Sequence, residues 1–246
     1  MSLRIHFWES YYELLKTLRQ PAFVIPSLAF PVVFYALFAI LLPGNWGGYQ
    51  KATYLLATYG VFGVIGPALF GFGVGLAMEQ QQGLLRLKRV SPMPISAYFF
   101  AKIVMSLVFA LIIYSLLSFV GIVFGDVDIR LAEWLHLCAV LLIGVLPFCA
   151  LGLWIGSMVG GQAAVAIVNL VYLPMAVLSG LWMPLFVFPE FMQKLAVVWP
   201  AWHLAQMSLG VVGQVKNVPM MMHTLVLLLM SALFLVLATL NLRRGA

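Results

Sequence analysis

Residues 134–189 read WLHLCAVLLIGVLPFCALGLWIGSMVGGQAAVAIVNLVYLPMAVLSGLWMPLFVFP and contain no Asp, Glu, Lys or Arg. An apolar helix needs roughly 20 residues to cross the hydrocarbon core of a bilayer, so this stretch is long enough for two crossings. The sequence GSMVGGQ at 156–162 interrupts it and is typical of a tight turn. The stretch therefore predicts two consecutive membrane-spanning helices.

Four further stretches also lack charged residues, and each is long enough for one crossing. They lie at 20–50, 52–78, 103–125 and 217–242. The predicted spans are 22–42, 53–78, 97–125, 132–157, 162–183 and 219–241. The chain is therefore predicted to be an all-α polytopic membrane protein with six transmembrane helices. Because six is even, both termini lie on the same side of the membrane.

Composition supports this fold class and excludes others. Hydrophobic residues make up 64% of the chain and charged residues 8%. In soluble domains, roughly 45–50% of residues are apolar and about 25% are charged. A net charge of +6 from 13 basic and 7 acidic residues is too sparse to track a nucleic-acid backbone. Nine basic residues fall on the side of the termini and four on the other side. Since cytoplasmic loops carry the excess of Lys and Arg, we expect both termini in the cytoplasm and the protein in the cytoplasmic (inner) membrane.

The first 20 residues have the pattern of an amphipathic surface helix. Apolar residues recur at helical spacing, and a separate stripe is polar; the apolar set is Leu3, Phe7, Tyr11, Leu14 and Leu18, and the polar set is Glu9, Glu13, Lys16 and Gln20. The helix is expected to lie on the membrane, with Pro21 ending it. Packing against another protein is the alternative, and both are compatible with the pattern.

Two connecting segments are unusual for a bundle of apolar spans. Residues 79–94, EQQQGLLRLKRVSPMP, are basic and predict a cytoplasmic helix that continues to Pro92; docking on another protein and binding of lipid headgroups are both compatible with this composition. Residues 184–210 are apolar but interrupted by proline, which excludes one straight helix. We expect a re-entrant pair of short helices, separated near 190–194, that dips into the outer leaflet. Anchoring of its aromatic residues at the interface is the alternative.

Several chemistries are disfavoured by the residues. The four histidines are scattered without metal-ligand spacing, so no metal site is predicted. No lysine follows a glycine, so a Walker A loop is absent and the chain is not expected to bind ATP by that route. No nucleotide site and no catalytic residues are predicted in this chain. No acid or base lies at the middle of a span, which disfavours ion-coupled transport. Glu133 with His136 is the one candidate pair for a membrane-embedded enzyme.

Two sets of residues resemble the membrane subunit of type-two ATP-binding-cassette (ABC) exporters. The first set resembles the coupling segment of that family and comprises Glu79, Gly83, Leu84, Leu87, Pro92 and Lys102. The second resembles its fifth span and outer re-entrant helices and comprises Asn169, Pro174, Ser179, Gly180, Pro184, Pro189 and Pro200. The resemblance extends over nearly the whole chain, from the surface helix to the sixth span.

The resemblance implies a domain organisation and roles for residues. Residues 1–20 would be a connecting helix beside an ATPase, and residues 21–246 a six-span transmembrane domain with a coupling helix at 79–94. Three groups of residues follow. The ATPase-coupling group is Glu79, Gly83, Leu84, Arg86, Leu87, Arg89 and Pro92; the substrate pathway is Phe70, Asn169, Tyr172 and Met175, the last three sharing one helical face; the outer gate is Ser179, Gly180, Pro184, Pro189 and Pro200.

The resemblance also implies partners and a function. The chain would pair with a second six-span permease, expected to be a second copy, and with two cytoplasmic ATPase subunits that bind ATP and Mg. It would hold no cofactor itself and would move a hydrophobic or amphipathic substrate outward; drugs, lipids, peptides and glycans all fit this topology. A non-transporting scaffold or immunity component is the alternative, and a membrane-embedded enzyme a further one.

Overall fold

The computed structural model describes residues 2–42, 46, 48–91 and 93–244, and these contain helices and no β-strand. The predicted all-α fold is confirmed. The α-helices are α1 (Ser2–Leu18), α2 (Pro21–Tyr35), α3 (Lys51–Leu69), α4 (Gly75–Gln81), α5 (Leu84–Val90), α6 (Ile95–Phe124), α7 (Leu131–Ile143), α8 (Val145–Met158), α9 (Gly161–Leu178), α10 (Glu190–Ala196), α11 (Pro200–Val211) and α12 (Met220–Arg244). Two π-helical segments, Ala36–Leu41 and Phe70–Val74, extend α2 and join α3 to α4, and a 3₁₀ turn spans Leu185–Val187.

Six helical stretches in the described residues are long and apolar enough to cross a membrane. They are Pro21–Leu41, Lys51–Gln81, Ile95–Phe124, Leu131–Met158, Gly161–Leu178 and Met220–Leu242. The six predicted spans are therefore confirmed. The fifth ends at Leu178, five residues before its predicted end, because Gly180 takes a left-handed backbone conformation with φ +73° that stops the helix.

The second span forms the centre of the bundle. Nearly every side chain of α3 is buried, from Ala52 to Leu69, because α2, α6, α8 and α11 all pack around it. The first and last spans are much more exposed, with many outward-facing Leu, Val and Phe side chains on α2 and α12. Since water would not accommodate such surfaces, they are faces suited to apolar surroundings such as the bilayer hydrocarbon.

Backbone contact between the second and fourth spans depends on glycine. A Cβ atom added at Gly156 of α8 would lie 2.5 Å from the carbonyl oxygen of Gly73, and one at Gly152 would lie 3.1 Å from that of Leu69. The sequence pattern of glycines at four-residue spacing predicts such close packing, and the prediction is confirmed for these two. It is wrong for Gly160, where a Cβ would meet no atom within 4 Å.

The connections between spans gather at two ends of the bundle. At the first, α1 packs along the start of α6, beside α4 and α5; we call this the coupling end. At the other, the backbone N–H of Gln50 donates to the side chain of Gln214, and the Gln50 side chain donates to the carbonyl of Asp126. We call that end, which also holds α10 and α11, the loop end.

Helix α1 is amphipathic as predicted, but its polar side faces the protein. Ser10, Glu13 and Thr17 are buried against the bundle, whereas Leu3 is 86% exposed and Phe7 65% exposed. The outward apolar stripe matches the face expected for the membrane. The polar stripe is a packing surface rather than a solvated one, because ionic partners on α4 and α6 receive it.

Candidate functional site

The segment that follows the second span contains a break rather than one continuous helix. Helix α4 ends at Gln81, Gly83 has φ +73°, and α5 begins at Leu84. The prediction of a single helix from Glu79 to Pro92 is wrong, because Gly83 adopts the left-handed conformation that glycine accepts without a Cβ clash and that ends a helix. Glu79 therefore belongs to the end of the second span, and α5 is a separate short helix.

Helix α5 presents apolar side chains outward. Leu87 is 64% exposed, and Leu84 and Val90 at three-residue spacing are exposed as well, whereas Leu85 is buried against the bundle. Pro92 lies outside the described residues, and so do the side chains of Arg86 and Arg89. An exposed apolar strip on a helix at the coupling end is a surface on which another protein could pack.

A buried ion cluster lies beneath α5 and joins three helices. The Lys102 ammonium is 2.8 Å from a carboxylate oxygen of Glu13 and 3.4 Å from one of Glu79. The Lys16 ammonium is 2.5 Å from Glu79 and 3.4 Å from Glu13, and the Tyr98 hydroxyl donates to the other Glu79 oxygen at 2.6 Å. Two carboxylates and two ammonium groups balance, which compensates for the burial of Glu13, Glu79 and Lys102, while Lys16 is partly exposed.

The surroundings of the cluster shift the pKa values of its α1 members. Burial alone would raise the pKa of the Glu13 carboxyl, but the nearby Lys102 and Lys16 ammonium groups outweigh burial and lower it. Burial alone would lower the pKa of Lys16, and the Glu13 and Glu79 carboxylates raise it instead. Each of these two groups therefore keeps its charge because its partners are present.

Lys88 connects α5 to both neighbouring elements, α1 and α6. The Lys88 ammonium is 2.6 Å from a carboxylate oxygen of Glu9 on α1, and it lies 4.5 Å from the ring centroid of Tyr98 on α6. Tyr98 in turn donates to Glu79. Ionic, cation–π and hydrogen-bonded contacts thus connect α5 to α1, α6 and α4, and sequence reasoning predicted none of these pairings.

Three of the four predicted pathway residues line one cavity. Phe70, Asn169 and Tyr172 face a space of about 300 Å³ between α2, α3 and α9. Tyr172 stacks on Phe62 with ring centroids 4.9 Å apart and donates a hydrogen bond to its carbonyl oxygen. Met175 is fully buried and does not line this space. Sequence reasoning missed the contribution of α2, whose Phe30 forms part of the wall.

A second cavity adjoins the first at the coupling end. Its volume is about 210 Å³, and Phe23 and Phe70 line both spaces. The ion cluster forms one wall of this second cavity through Glu13, Lys16, Glu79 and Lys102. An apolar central space therefore adjoins a charged space beside α1, and Phe23 and Phe70 line both.

The predicted outer-gate residues all lie at helix boundaries of the loop end. Ser179 follows α9, and the carbonyl of Gly180 accepts a hydrogen bond from the Tyr54 hydroxyl at 3.1 Å. Pro184 and Pro189 immediately precede the 3₁₀ turn and α10, and Pro200 is the first residue of α11. Proline is tolerated at these positions because its missing N–H has no helical partner there.

The two short helices at the loop end separate at a different place from the predicted one. Residues 190–194 lie inside α10, and the break falls at 197–199. The prediction of a turn near 190–194 is wrong because Pro189 starts a helix there. Phe186 is 53% exposed and Phe191 is 68% exposed, so this part of the segment presents apolar side chains outward.

Other polar residues take structural positions. Glu133 pairs with Arg130 in a capping box at the start of α7, and His136 is exposed without contacting it, so the candidate catalytic pair is not formed. His203 and His223, which the sequence placed far apart, meet with their Nδ1 atoms 2.9 Å apart, and His203 Nε2 is 2.9 Å from the Val197 carbonyl oxygen. No group of three or more potential metal ligands occurs in the part of the chain that the structure describes.

Comparison with known proteins gives two matches. Residues 8–212 match the sequence model of the family described as "ABC-2 type transporter". The chain is also 30% identical over 197 residues to a Bacillus subtilis (strain 168) protein named "Putative transport permease YvfS", which covers 79% of this chain and 80% of that protein.

Proposed function

Because the chain belongs to the ABC-2 type transporter family, a family of multi-pass transport permeases that work with an ATPase subunit, we propose that it exports a hydrophobic or amphipathic molecule across the cytoplasmic membrane. The observation that carries this proposal is the position of α5. Its apolar strip is exposed for a partner, and Lys88 ties it to α1 and α6 beside the ion cluster.

Coupling would run from the ATPase through α5 to the spans. ATP and Mg bind to the partner ATPase, and closure of two such subunits displaces α5. Since Lys88 joins α5 to Glu9 and to the Tyr98 ring, that displacement reaches α1 and α6. The conformational equilibrium shifts only as far as ATP and substrate bind the two states with different affinity.

The substrate class follows from the walls of the two adjoining cavities. The larger one is lined mainly by apolar and aromatic side chains, with Asn169 as a polar contribution. The smaller one adds the charged wall at the coupling end. An apolar or amphipathic molecule entering at the coupling end would pass Phe23 and Phe70 and leave past the gate residues 179–200.

The proposed orientation places the coupling end in the cytoplasm. Nine of the 13 basic residues belong to that end, as the positive-inside bias requires. We assign two ATPase subunits and a second permease, taken as a second copy of this chain, to the complex. The exposed faces of α2 and α12 leave room for that copy and for lipid.

The test substitutes one exposed residue of α5. Leu87→Gln should reduce co-purification with the co-expressed ATPase and substrate-stimulated ATP hydrolysis, because a polar side chain replaces apolar contact area. Leu131→Gln is the matched control, since Leu131 is 72% exposed at the start of α7 at the opposite end. Wild-type co-purification and stimulation in the Leu87 variant would refute the assignment of α5, and an intact complex that transports none of the tested compounds would favour a scaffold.

A further inference from the structure

Helix α1 closes one side of the smaller cavity at the coupling end. Glu13, Lys16 and Thr17 share one face of this helix, and all three line the space of about 210 Å³. Most of the remaining wall belongs to the second span and to α6. Displacement of α1 alone would therefore open this cavity at the coupling end while the bundle keeps its own packing.

The contact between α1 and the bundle is polar. Among the residues that the structure describes, the buried side chains of α1 are Ser10, Glu13 and Thr17. Every described apolar side chain of this helix is exposed or only half-buried. Most helices of folded proteins are held in place by a buried apolar face, and α1 lacks one. It can therefore leave the bundle without exposing a large apolar surface.

The buried hydroxyl groups of α1 are hydrogen-bonded within the helix itself. The Ser10 hydroxyl donates to the carbonyl of His6 at 2.7 Å, and the Thr17 hydroxyl donates to the carbonyl of Glu13 at 2.9 Å. Both bonds move with α1 and are kept when the helix is displaced. Displacement thus leaves neither hydroxyl without its acceptor, and it avoids the cost of an unpaired buried polar group.

Ion pairs hold this face of α1 to the spans. Glu13 pairs with Lys102 at 2.8 Å, and Lys16 pairs with Glu79 at 2.5 Å. Charges that separate into water regain their hydration, which offsets most of the attraction that a buried ion pair provides. Removing one partner is costly because the other charge stays buried and unpaired, whereas displacing α1 hydrates both. Ion pairs of this kind therefore make a reversible contact.

The link between α1 and α2 has the features of a hinge. Helix α1 ends at Leu18 and α2 begins at Pro21. Gln20, between them, has φ −105° and ψ 83°, which lies outside the helical region. Proline has no backbone N–H, so the helical hydrogen-bond ladder does not continue from α1 into α2. Rotation about this two-residue link would move the polar face of α1 away from the cavity, as hinge motions in other proteins do.

We propose that α1 is a hinged lid over the smaller cavity, and that displacement of α5 by the ATPase opens it to admit the transported molecule at the coupling end. Lys88 of α5 pairs with Glu9 of α1 at 2.6 Å, so a movement of α5 acts on the lid directly. From the opened cavity, the molecule meets Phe23 and Phe70, which also line the larger space. This inference rests on the proposed function and adds control of substrate entry to it.

The test measures access to a thiol placed in the cavity wall. Met105 is 1% exposed and lines the smaller cavity, so Met105→Cys reports on the lid. The full-length variant, in complex with its co-expressed ATPase in phosphatidylcholine nanodiscs, is treated with N-ethylmaleimide, and mass spectrometry follows the modification of each thiol. ATP with Mg should raise the rate at residue 105 by about tenfold, as opening of the lid from about 1% to about 10% of the molecules provides. The natural thiol of Cys138, buried on α7 away from this cavity, should keep its rate.

A reversible tether shows whether α1 is the part that moves. His6 Nε2 and Ser96 Oγ are 3.4 Å apart, so His6→Cys and Ser96→Cys can be joined by 1,2-ethanediyl bismethanethiosulfonate, which ties α1 to α6. The tether should abolish the ATP-dependent increase at residue 105, and reducing it should restore the increase. The matched control joins Ser157→Cys to Asn241→Cys, whose side chains are 3.5 Å apart on α8 and α12, and should leave the increase unchanged.

Three results would overturn the inference. They are an unchanged rate at residue 105 in the presence of ATP, the same increase with and without the tether between α1 and α6, and a parallel increase at Cys138, which would indicate general loosening. Val74→Cys places a second thiol in the opposite wall of the cavity and serves if Met105→Cys does not fold. Because the test needs no transported molecule, tether-sensitive opening in a complex that transports none of the tested compounds would refute the proposed function alone.

Discussion

Replacing Lys102 with methionine tests the ion cluster most directly. The Lys102 side chain is 2% exposed and its carboxylate partners Glu13 and Glu79 are each 6% exposed. Methionine keeps most of the volume and removes the ammonium group, so two buried carboxylates are left with Lys16, which is 46% exposed. Breaking a buried ion pair from one side costs about 3–5 kcal/mol, and we expect a loss of this size in the free energy of unfolding.

The assay is a titration of unfolding by sodium dodecyl sulfate in mixed micelles, with helix content as the signal. Adding Glu13→Gln to Lys102→Met restores the charge balance, leaving Glu79 with Lys16 and Tyr98, and should recover most of the lost stability. Adding Glu133→Gln instead should recover none of it, because Glu133 lies at the loop end, paired with Arg130. This pair of double variants separates charge balance from a general effect of removing carboxylates.

The pH dependence of the stability of Lys102→Met provides a second check. Without Lys102, the two carboxylates repel each other, so the folded protein holds a proton more tightly than the unfolded chain does. A carboxyl group that binds its proton more tightly in the folded state stabilises that state as the pH falls. The loss in free energy of unfolding caused by Lys102→Met should therefore become smaller between pH 7 and pH 5. A free energy of unfolding of Lys102→Met within about 1 kcal/mol of the wild-type value would refute the buried ion cluster as a source of stability. Failure of Glu13→Gln to restore the stability of Lys102→Met would refute it as well.

Three further perturbations test other parts of the structure. Gly83→Val forces a β-branched residue to φ +73°, at a cost of about 1–3 kcal/mol, so it should displace α5 and lower substrate-stimulated ATP hydrolysis. Gly83→Asn should have a milder effect on hydrolysis, and equal activity of the two variants would contradict this prediction. Gly156→Ala places a Cβ 2.5 Å from a backbone oxygen and should destabilise by about 1–3 kcal/mol, while Gly160→Ala should be neutral, and similar midpoints for the two would count against close helix contact. Burial lowers the pKa of His203, although its hydrogen bond to the Val197 carbonyl opposes this. The unfolded chain therefore takes up this proton first as the pH falls below about 6.5. The contribution of His203 to stability should then decrease by at most about 1.4 kcal/mol per pH unit, and His203→Gln should remove that contribution to the slope.

The six spans were predictable because the bilayer imposes a length. Charge-free stretches of about 20 residues have few alternatives to a helix when no water can satisfy the backbone. The turn at 156–162 follows from its glycines, whereas the end of the fifth span was predicted five residues too late, because the sequence does not reveal that Gly180 takes φ +73°. The break at Gly83 was missed because the residues on both sides of it favour a helix, and the sequence does not reveal the sign of a backbone φ.

The candidate site was predictable only where it depends on one helix. Asn169 and Tyr172 face the same cavity because a spacing of three places them on one face of α9. The ion cluster depends instead on residues 89 and 23 positions apart in the chain, and a single sequence carries no signal of such pairings. The polar stripe of α1 was visible, but periodicity alone cannot distinguish a solvated stripe from one that packs on buried charges.

The cluster also explains how the charge of the chain divides between the two ends. The loop end holds four acidic and four basic residues, whereas the coupling end holds nine basic and three acidic residues and so carries the whole net charge of +6. All three acidic residues of that end pair with lysines: Glu9 with Lys88, and both Glu13 and Glu79 with Lys16 and Lys102. The six basic residues that remain are all arginines, at positions 4, 19, 86, 89, 243 and 244. The lysines therefore hold the coupling end together through ion pairs, while the arginines account for its excess positive charge. Arginine is the basic side chain best suited to bidentate binding of phosphate.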